Sequence, residues 1–157
     1  IIKEFPINIS NFNDGSQIVI GGLKDDIDYL KLNPVDLNAK RVIPLDVAGA
    51  FHSKFVSSAK QEVQNIIDEV EFSEGKFDVY MNVDAQVADL TTIKKRLVDQ
   101  IDNSVMFYDQ ILNIENIAKP EKWYHIGPGN VTAGMVKKSI SSEGIEIINS
   151  LDSLNNI

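Results

Sequence analysis

The sequence has no cysteine, and none of its apolar runs is long enough to cross a membrane. Without thiols it cannot hold a disulfide framework, a thiolate nucleophile or a cysteine-based zinc site. A membrane-spanning helix needs roughly 20 consecutive apolar residues, so no membrane partner is expected. The opening residues, "IIKEFPINIS", lack a secretory signal and an initiator methionine. We therefore expect a soluble chain from a reducing compartment, and a fragment that starts inside a domain.

Positive charge is also scarce, with 15 Lys and Arg against 23 Asp and Glu and a formal charge of −8 at pH 7. Nucleic-acid binding needs a basic footprint, so no nucleic-acid partner is expected. The two histidines, His52 and His125, lie far apart in the chain, and there is no H-E-x-x-H motif. A metal site needs more ligands than this, so none is expected. At 157 residues and 43% hydrophobic composition, the chain is long enough for one domain with a buried core.

Short apolar segments alternate with amphipathic ones along the chain. The predicted strands are "PINISNF", "QIVIGG", "RVIPLDV", "FDVYMNV", "KWYHI" and "GIEII". The predicted helices are "LKDDIDYLKL", residues 55–70, "LTTIKKRLVDQI", "MFYDQILNIENIA" and "VTAGMVKKSI". This alternation predicts an α/β architecture with a largely parallel sheet. The first two strands, joined by a turn at Asp14-Gly15, predict a small antiparallel subdomain instead, and the polar tail "NSLDSLNNI" is expected to fray.

The glycine-rich segment "GPGNVTAG" does not match a phosphate-binding loop. Its glycine spacing differs from G-x-G-x-x-G, and no Lys-Ser/Thr pair follows. We interpret it as a sharp turn from a strand into a helix, with Asn130 as the helix cap. His125, on the strand before this turn, is expected to be a satisfied structural imidazole.

The segment "AGAFHSKF" places His52 just after a strand and a small-residue loop, where catalytic groups are often held. An imidazole with an unperturbed pKa of about 6.5 suits a general base at neutral pH. A base needs a nucleophile, yet the sequence contains no G-x-S-x-G elbow. Ser53 adjoins His52, but neighbouring side chains on an extended segment point apart. On the residues alone, a structural role for His52 stays open.

Four segments together resemble the malonyl-CoA:acyl carrier protein transacylase family. They are "NFNDGSQIVIGG", "AFHSKFVSSA", "VYMNVDA…LVDQIDNSVMFYDQI" and "HIGPGNVTAGMVKKS", in the family's order, over roughly residues 7–140. The resemblance implies the C-terminal part of an α/β-hydrolase-like acyltransferase core with part of an inserted ferredoxin-like subdomain. Residues 1–46 would belong to the subdomain and residues 47–157 to the core.

The resemblance also implies a reaction. A serine takes malonyl from coenzyme A and passes it to acyl carrier protein, and no cofactor is needed. That serine, in a G-H-S-x-G elbow, and the arginine that pairs with malonyl would lie upstream, so this chain alone is expected to be inactive. The implied compartment is a bacterial cytoplasm or a plastid or mitochondrial matrix. Two alternatives are an acyltransferase portion of a polyketide or fatty-acid synthase, and a non-catalytic relative that binds acyl carrier protein.

The family's roles transfer to particular residues. His52 matches the base that activates the serine, and Gln100 matches the residue whose backbone carbonyl orients that imidazole. The amides implied beside the acyl and pantetheine channel are Asn11, Asn13 and Gln17. Phe51 matches the ring that fills the space of an α-methyl branch, which selects malonyl only partially, since one methyl is worth about 1–3 kcal/mol.

Docking of an acidic carrier protein on an acidic chain requires a local basic patch. We expect this patch to combine two pairs of cations, Lys40 with Arg41 and Lys137 with Lys138. His125 departs from the family, which usually has an acidic residue there, and it receives no role.

Overall fold

A computed structural model describes residues 5–140 and 144–155 of the chain. The predicted fraying of the last two residues therefore lies outside the described part. The strands, in chain order, are β1 (Asn8–Asp14), β2 (Gln17–Gly21), β3 (Trp123–Ile126) and β4 (Ile145–Ile148). The α-helices are α1 (Lys24–Leu32), α2 (Lys60–Asp68), α3 (Ile93–Asp99), α4 (Phe107–Asn113), α5 (Val131–Ser139) and α6 (Leu151–Leu154). Short 3-10 helices cover Pro34–Leu37 and Lys54–Ala59, and a π-helical turn covers Ile114–Ala118.

The predicted hairpin is confirmed. β1 and β2 pair antiparallel and meet at Asp14 opposite Gln17. The Asp14 carboxylate accepts hydrogen bonds from the Ser16 amide and hydroxyl, each at 2.8 Å, which closes the turn. An aspartate that bonds the backbone two residues ahead is a common turn device, so a local signal sufficed for this prediction.

The prediction of a largely parallel sheet is wrong for the described residues. Their strands form two separate two-stranded sheets, and only β3 and β4 are parallel. Residues 41–47, predicted as a strand, are irregular, and residues 77–83 contribute only an isolated bridge from Tyr80 to Val87. A strand needs a hydrogen-bonded neighbour to exist. Within the described chain, residues 41–47 have none, and residues 77–83 pair only briefly with the segment around Val87.

Apolar side chains of these two segments face solvent as a result. Examples are Ile43, Val47 and Phe77, whose exposed fractions are 61%, 61% and 85%. Apolar groups at this exposure are typical of surfaces that another element covers. Their apolar pattern is that of buried strands, which explains why it predicted pairing that the described residues do not make.

The predicted helices are confirmed with shorter bounds. The helix expected over residues 55–70 begins as the 3-10 helix and becomes α2 only at Lys60. The tail expected to fray contains α6, because the Ser150 hydroxyl and the Ser153 backbone and side chain form a reciprocal cap. No helix in the described ranges has the length and apolarity needed to span a bilayer.

The main hydrophobic core joins α4, α5 and β4. Its buried members are Ile111, Ala133, Val136, Ile140 and Ile145. Phe107, Trp123 and Ile147 pack against this cluster. β1 of the hairpin packs against the core helices α4 and α5, whereas α2 packs against α3.

Candidate active site

His52 adopts a backbone conformation that non-glycine residues rarely use. Its φ is 56°, in the left-handed region, where an L-residue is strained. The following residue supports this conformation: the Ser53 hydroxyl donates to the Ala50 carbonyl and accepts from the Phe55 amide at 3.3 Å. Ser53 is 1% exposed. Its hydroxyl is therefore a structural element of the turn and is not available as a nucleophile.

The ring of His52 contacts the backbone of Gln100. His52 Nδ1 lies 2.9 Å from the Gln100 carbonyl oxygen. Because a carbonyl can only accept, Nδ1 carries the proton, and Nε2 of the neutral ring is left as an acceptor. The contact between His52 and Gln100 that the resemblance implies is therefore present.

The position of Gln100 explains why its backbone carbonyl has no partner within the helix and can accept from His52. Gln100 is the C-cap of α3, and the last carbonyls of a helix lack partners within the helix. Its side-chain Nε2 donates to the Asn103 carbonyl at 2.9 Å and lies farther from the imidazole, 3.5 Å from His52 Nδ1. The backbone oxygen is therefore the better partner of the ring.

The hairpin packs beside both partners of this contact. The Val105 amide donates to the Ser10 carbonyl at 2.8 Å, and the Phe12 amide donates to the Val105 carbonyl at 2.9 Å. On the other side, a Cβ built on Gly21 would lie 2.8 Å from Ala50 Cβ. The loop before His52, the loop after Gln100 and the hairpin therefore converge in one place.

The predicted substrate residues lie on the hairpin and directly beside His52 in the chain. Asn11 forms a bridge with Val105, and Asn13 follows two residues later on β1; both are half-buried. Gln17 is exposed at the tip of the hairpin, and Phe51 is 54% exposed beside His52. No hydrogen bond joins the three amides to His52 or Gln100 within residues 5–140 and 144–155.

The predicted docking residues are not equivalent. Lys40, Arg41 and Lys137 are exposed. Lys138 is also exposed, but it pairs with the hairpin turn, with Nζ 3.4 Å from Asp14 Oδ2. Burial alone raises the pKa of Asp14, but the Ser16 hydrogen bonds and the Lys138 charge outweigh it and hold this pKa below its usual value. Of the described contacts, none links the 40–41 pair to the 137–138 pair.

His125 is only partly satisfied. Its Nδ1 lies 2.8 Å from the Thr132 hydroxyl, whereas its Nε2 is buried with no hydrogen-bond partner. The glycine-rich turn after it is confirmed, since Gly127 and Gly129 have φ of 139° and 80°. The Asn130 side chain makes no capping hydrogen bond, so the prediction of a side-chain cap is wrong. The described part of the chain holds no group of three or more potential metal ligands.

Two polar clusters carry no sequence signal that we recognised. In the first, Lys60 Nζ contacts Asp99 at 3.1 Å and Asp102 at 2.9 Å, joining α2 to the end of α3. In the second, the buried Arg96 guanidinium donates to the Val87 and Gln86 carbonyls, both at 2.8 Å. Partners this far apart in sequence become neighbours only through folding. An Asp or Lys in a helix pattern looks the same whether or not it has such a partner.

Solved structures define the class of protein to which this fold is similar. The chain superposes on a crystal structure of MCAT from Streptococcus pneumoniae with a TM-score of 0.86 at 29% identity, over 96% of this chain and 49% of that one. The malonyl-CoA:ACP transacylase of Synechocystis gives 0.85 at 27% identity, over 96% of this chain and 50% of that one. The fold, with its helices and strands, is therefore that of an MCAT acyltransferase over about half its length.

Sequence relatives of the chain are named as one kind of acyltransferase, malonyl CoA-acyl carrier protein transacylase. The polyketide biosynthesis malonyl CoA-acyl carrier protein transacylase BaeC of Bacillus velezensis is 36% identical over 133 residues, which are 84% of this chain and 46% of the relative. The malonyl CoA-acyl carrier protein transacylase of Staphylococcus aureus is 35% identical over 133 residues, 84% of this chain and 43% of the relative. No protein-family model matches. The resemblance to malonyl-CoA:acyl carrier protein transacylases is confirmed, and the chain spans about half the length of the curated relatives it matches.

Proposed function

We propose that this chain forms part of a malonyl-CoA:acyl carrier protein transacylase and supplies the general base of the reaction. The observation that carries the proposal is the 2.9 Å contact between His52 Nδ1 and the Gln100 carbonyl oxygen. It leaves Nε2 as a proton acceptor, which is the function of the base in a serine acyltransferase. The names of the relatives supply the substrate pair, malonyl-CoA and acyl carrier protein.

The nucleophile must come from residues outside this sequence, which has no G-x-S-x-G elbow. In the first half-reaction, His52 Nε2 takes the proton of a serine hydroxyl whose oxygen attacks the malonyl thioester. The C–S bond breaks, and the leaving thiol of coenzyme A receives the proton from the imidazolium. In the second half-reaction, the carrier thiol gives its proton to Nε2 and attacks the acyl-serine ester. The C–O bond breaks, and the serine oxygen takes the proton back.

Substrate contacts are assigned from position and chemistry. Asn11 and Asn13 lie on the strand bound to the loop after Gln100, which supports assigning their amides as hydrogen-bonding groups for a thioester arm. Gln17 lies nearer the tip of the same hairpin and is assigned to the pantetheine part of the arm. Phe51, adjacent to His52, is assigned as the wall that disfavours an α-branched acyl group.

The same proposal divides the chain into two parts. Residues 1–46 contribute to a ferredoxin-like subdomain, and residues 47–157 contribute to an α/β-hydrolase-like core. The separation of the hairpin sheet from the β3–β4 sheet supports this division. Exposed apolar residues such as Ile43 and Phe77 fit a core whose other half is supplied from elsewhere.

A basic surface for the carrier protein is the remaining part of the proposal. Lys40, Arg41 and Lys137 are exposed cations on an otherwise acidic chain. Lys138 contributes less, because Asp14 already compensates its charge. One solved neighbour is a type II PKS acyl-carrier protein in complex with its malonyl-transacylase, matched at 25% identity with a TM-score of 0.89 over 99% of this chain and 50% of that one.

The pathway served has two candidates. The BaeC relative is named for polyketide biosynthesis, whereas the Staphylococcus aureus relative carries no pathway in its name. A carrier protein of polyketide assembly is therefore the alternative acceptor to one of fatty-acid synthesis. The bacterial origin of these relatives supports a bacterial cytoplasm as the proposed compartment.

A chimera tests the proposal. The portion of the Staphylococcus aureus transacylase that aligns with this chain is replaced by the chain, so that the remaining half supplies the serine elbow. We expect malonyl transfer from malonyl-CoA to acyl carrier protein, and none from the chain alone. A chimera that folds cooperatively but transfers no malonyl to any carrier protein would contradict the proposed function.

A further inference from the structure

A charged cluster joins the segment after His52 to the segment around Gln100. The Ser57 hydroxyl donates to Asp102 Oδ2 at 2.8 Å, and Lys60 Nζ donates to Asp102 Oδ1 at 2.9 Å. Lys60 also reaches Asp99 Oδ1 at 3.1 Å, and the other oxygen of Asp99 accepts from Lys95. Four of these residues, Ser57, Lys60, Asp99 and Asp102, are called the clamp below.

The clamp holds both sides of one contact. Ser57 and Lys60 follow His52 in the 3-10 helix and at the start of α2. Asp99 and Asp102 stand on either side of Gln100, at the end of α3 and in the loop beyond it. The clamp therefore ties together the two segments whose meeting forms the hydrogen bond from His52 Nδ1 to Gln100.

The clamp is also sheltered from water. The exposed fractions of the side chains of Lys60, Asp99 and Asp102 are 30%, 25% and 17%. By contrast, the Lys24–Asp28 pair on α1 is 85% and 57% exposed. Interactions between partly buried charges are screened less by salt and solvent than those between exposed charges, so the clamp is the stronger restraint.

His52 needs such a restraint. Its left-handed backbone is unfavourable for a residue with a Cβ, and Gln100 lies at a helix end, where backbones fray. If the two segments separate, the carbonyl no longer selects the Nδ1–H tautomer, and Nε2 can carry the proton instead. An imidazole in that tautomer cannot accept the proton of a nucleophile at Nε2.

We propose that Lys60 and Asp102 are positioning residues, which hold His52 in the Nδ1–H tautomer by fixing its loop against the Gln100 carbonyl. This inference rests on the proposed function for its catalytic consequence, but not for its effect on the ring. Lys60 and Asp102 contact each other and other residues of the clamp, and they act on the ring only through its loop.

The clamp remains charged around neutral pH. Its hydrogen bond to Asp102 raises the pKa of Lys60 above the usual value, although burial acts in the opposite direction. Burial acts to raise the pKa of Asp102, but the hydrogen bonds from Lys60 and Ser57 hold it below its usual value. Both partners are therefore ionised where the enzyme would work.

Ring nitrogen shifts test the effect on His52 directly. The full 157-residue chain is labelled with ¹⁵N in its histidine rings, and the two histidines are assigned with a His125→Gln variant. We expect the parent His52 to show a protonated Nδ1 and an unprotonated Nε2 at pH 8. In Asp102→Ala and Lys60→Met, both nitrogens should shift toward the opposite tautomer, while His125, bound to Thr132, keeps its shifts.

Two further variants separate positioning from general stability. Asp28→Asn removes an ion pair of the same residue types on α1 and should leave the His52 shifts unchanged. Lys60→Arg keeps the charge and should retain the parent shifts. Unchanged His52 shifts in both Asp102→Ala and Lys60→Met, with circular dichroism confirming that each is folded, would overturn the proposal.

The chimera adds the catalytic readout. With Asp102→Ala, kcat should fall about 10- to 100-fold with little change in KM for malonyl-CoA, the size of effect expected from a displaced catalytic group. If the variants change the His52 tautomer but the chimera never transfers malonyl, the positioning role of the clamp is supported and the proposed function is contradicted. Full activity in a variant whose tautomer has changed would instead overturn the catalytic consequence of the clamp.

Discussion

Lys138 Nζ lies 3.4 Å from Asp14 Oδ2, which joins α5 to the tip of the β1–β2 hairpin. The two residues are 124 positions apart, so the pair forms only when the two ends of the chain fold together. The Asp14 side chain is fully buried, whereas that of Lys138 is 63% exposed. This pair gives the two adjacent lysines, Lys137 and Lys138, different roles.

The two lysines should respond differently to charge reversal. In the chimera, Lys137→Glu should raise KM for acyl carrier protein and flatten its salt dependence, because rim charges act mainly on association. Transfer to a small thiol should stay unchanged, and so should the thermal midpoint. Lys138→Glu should lower the midpoint by about 2–4 °C or more, since it places a second carboxylate beside buried Asp14. Equal loss of transfer to both acceptors in Lys137→Glu would contradict the docking assignment.

The pKa of Asp14 predicts a pH dependence of stability. A carboxyl group with a lowered folded-state pKa contributes stability above its unfolded pKa of about 3.9, and this contribution is lost as pH falls through the folded value. Asp14→Asn should therefore be less stable than the parent at pH 7, and the difference should shrink below about pH 4. Urea unfolding midpoints of Asp14→Asn and the parent at pH 7, 5 and 3 measure this stability difference. A difference that stays constant with pH would rule out this origin.

The sequence predictions that were correct concern interactions between residues close together in the chain. The hairpin was predictable because Asp14 and Gly15 determine the turn locally. The helices were predictable because their apolar spacing is itself a local pattern. The ends of the helices were less predictable. For example, α2 begins only at Lys60, where the 3-10 helix capped by Ser53 ends.

The errors concern interactions that need a distant partner. Residues 41–47 and 77–83 have the composition of strands but no neighbouring strand in the described chain, and strand pairing is a property of two segments. In the candidate site, His52 and Gln100 were identified by resemblance. The clamp at Lys60 and Asp102 was not, because nothing in the sequence distinguishes it from surface charge.

Arg96 should be among the residues most important for stability. Its buried guanidinium donates to two backbone carbonyls, those of Gln86 and Val87, and pairs with Asp84. Arg96→Ala leaves these acceptors without donors, so the free energy of unfolding should fall by about 2–3 kcal/mol. Chemical denaturation measures this change. Lys24→Ala, which breaks an exposed pair, is the control and should change stability by less than about 1 kcal/mol; an equally small effect of Arg96→Ala would refute the role given to Arg96.

Phe51 should affect acyl selectivity without affecting the base. Replacing its ring with a methyl group opens space for an α-branch, and one methyl in an apolar pocket discriminates by about 1–3 kcal/mol. Phe51→Ala in the chimera should therefore raise the ratio of kcat/KM for methylmalonyl-CoA to that for malonyl-CoA by about tenfold or more. Phe55→Ala, another partly exposed phenylalanine nearby in the chain, is the matched control and should leave this ratio unchanged. Similar ratios in both variants and the parent would exclude Phe51 as the selecting wall.

In the proposed function, His52 is the base and Gln100 acts through its backbone carbonyl. The most direct test compares His52→Ala with Gln100→Ala in the chimera, measuring the rate of malonyl transfer to acyl carrier protein at saturating substrates. We expect a loss of roughly 10²–10⁴-fold for His52→Ala, the usual contribution of a positioned acid or base. We expect about tenfold or less for Gln100→Ala, which keeps the carbonyl and loses the side-chain contacts to Asn103, Ser104 and, at 3.5 Å, His52 Nδ1. Equal losses in the two variants, or a folded His52→Ala chimera with undiminished transfer, would contradict these roles of His52 and Gln100.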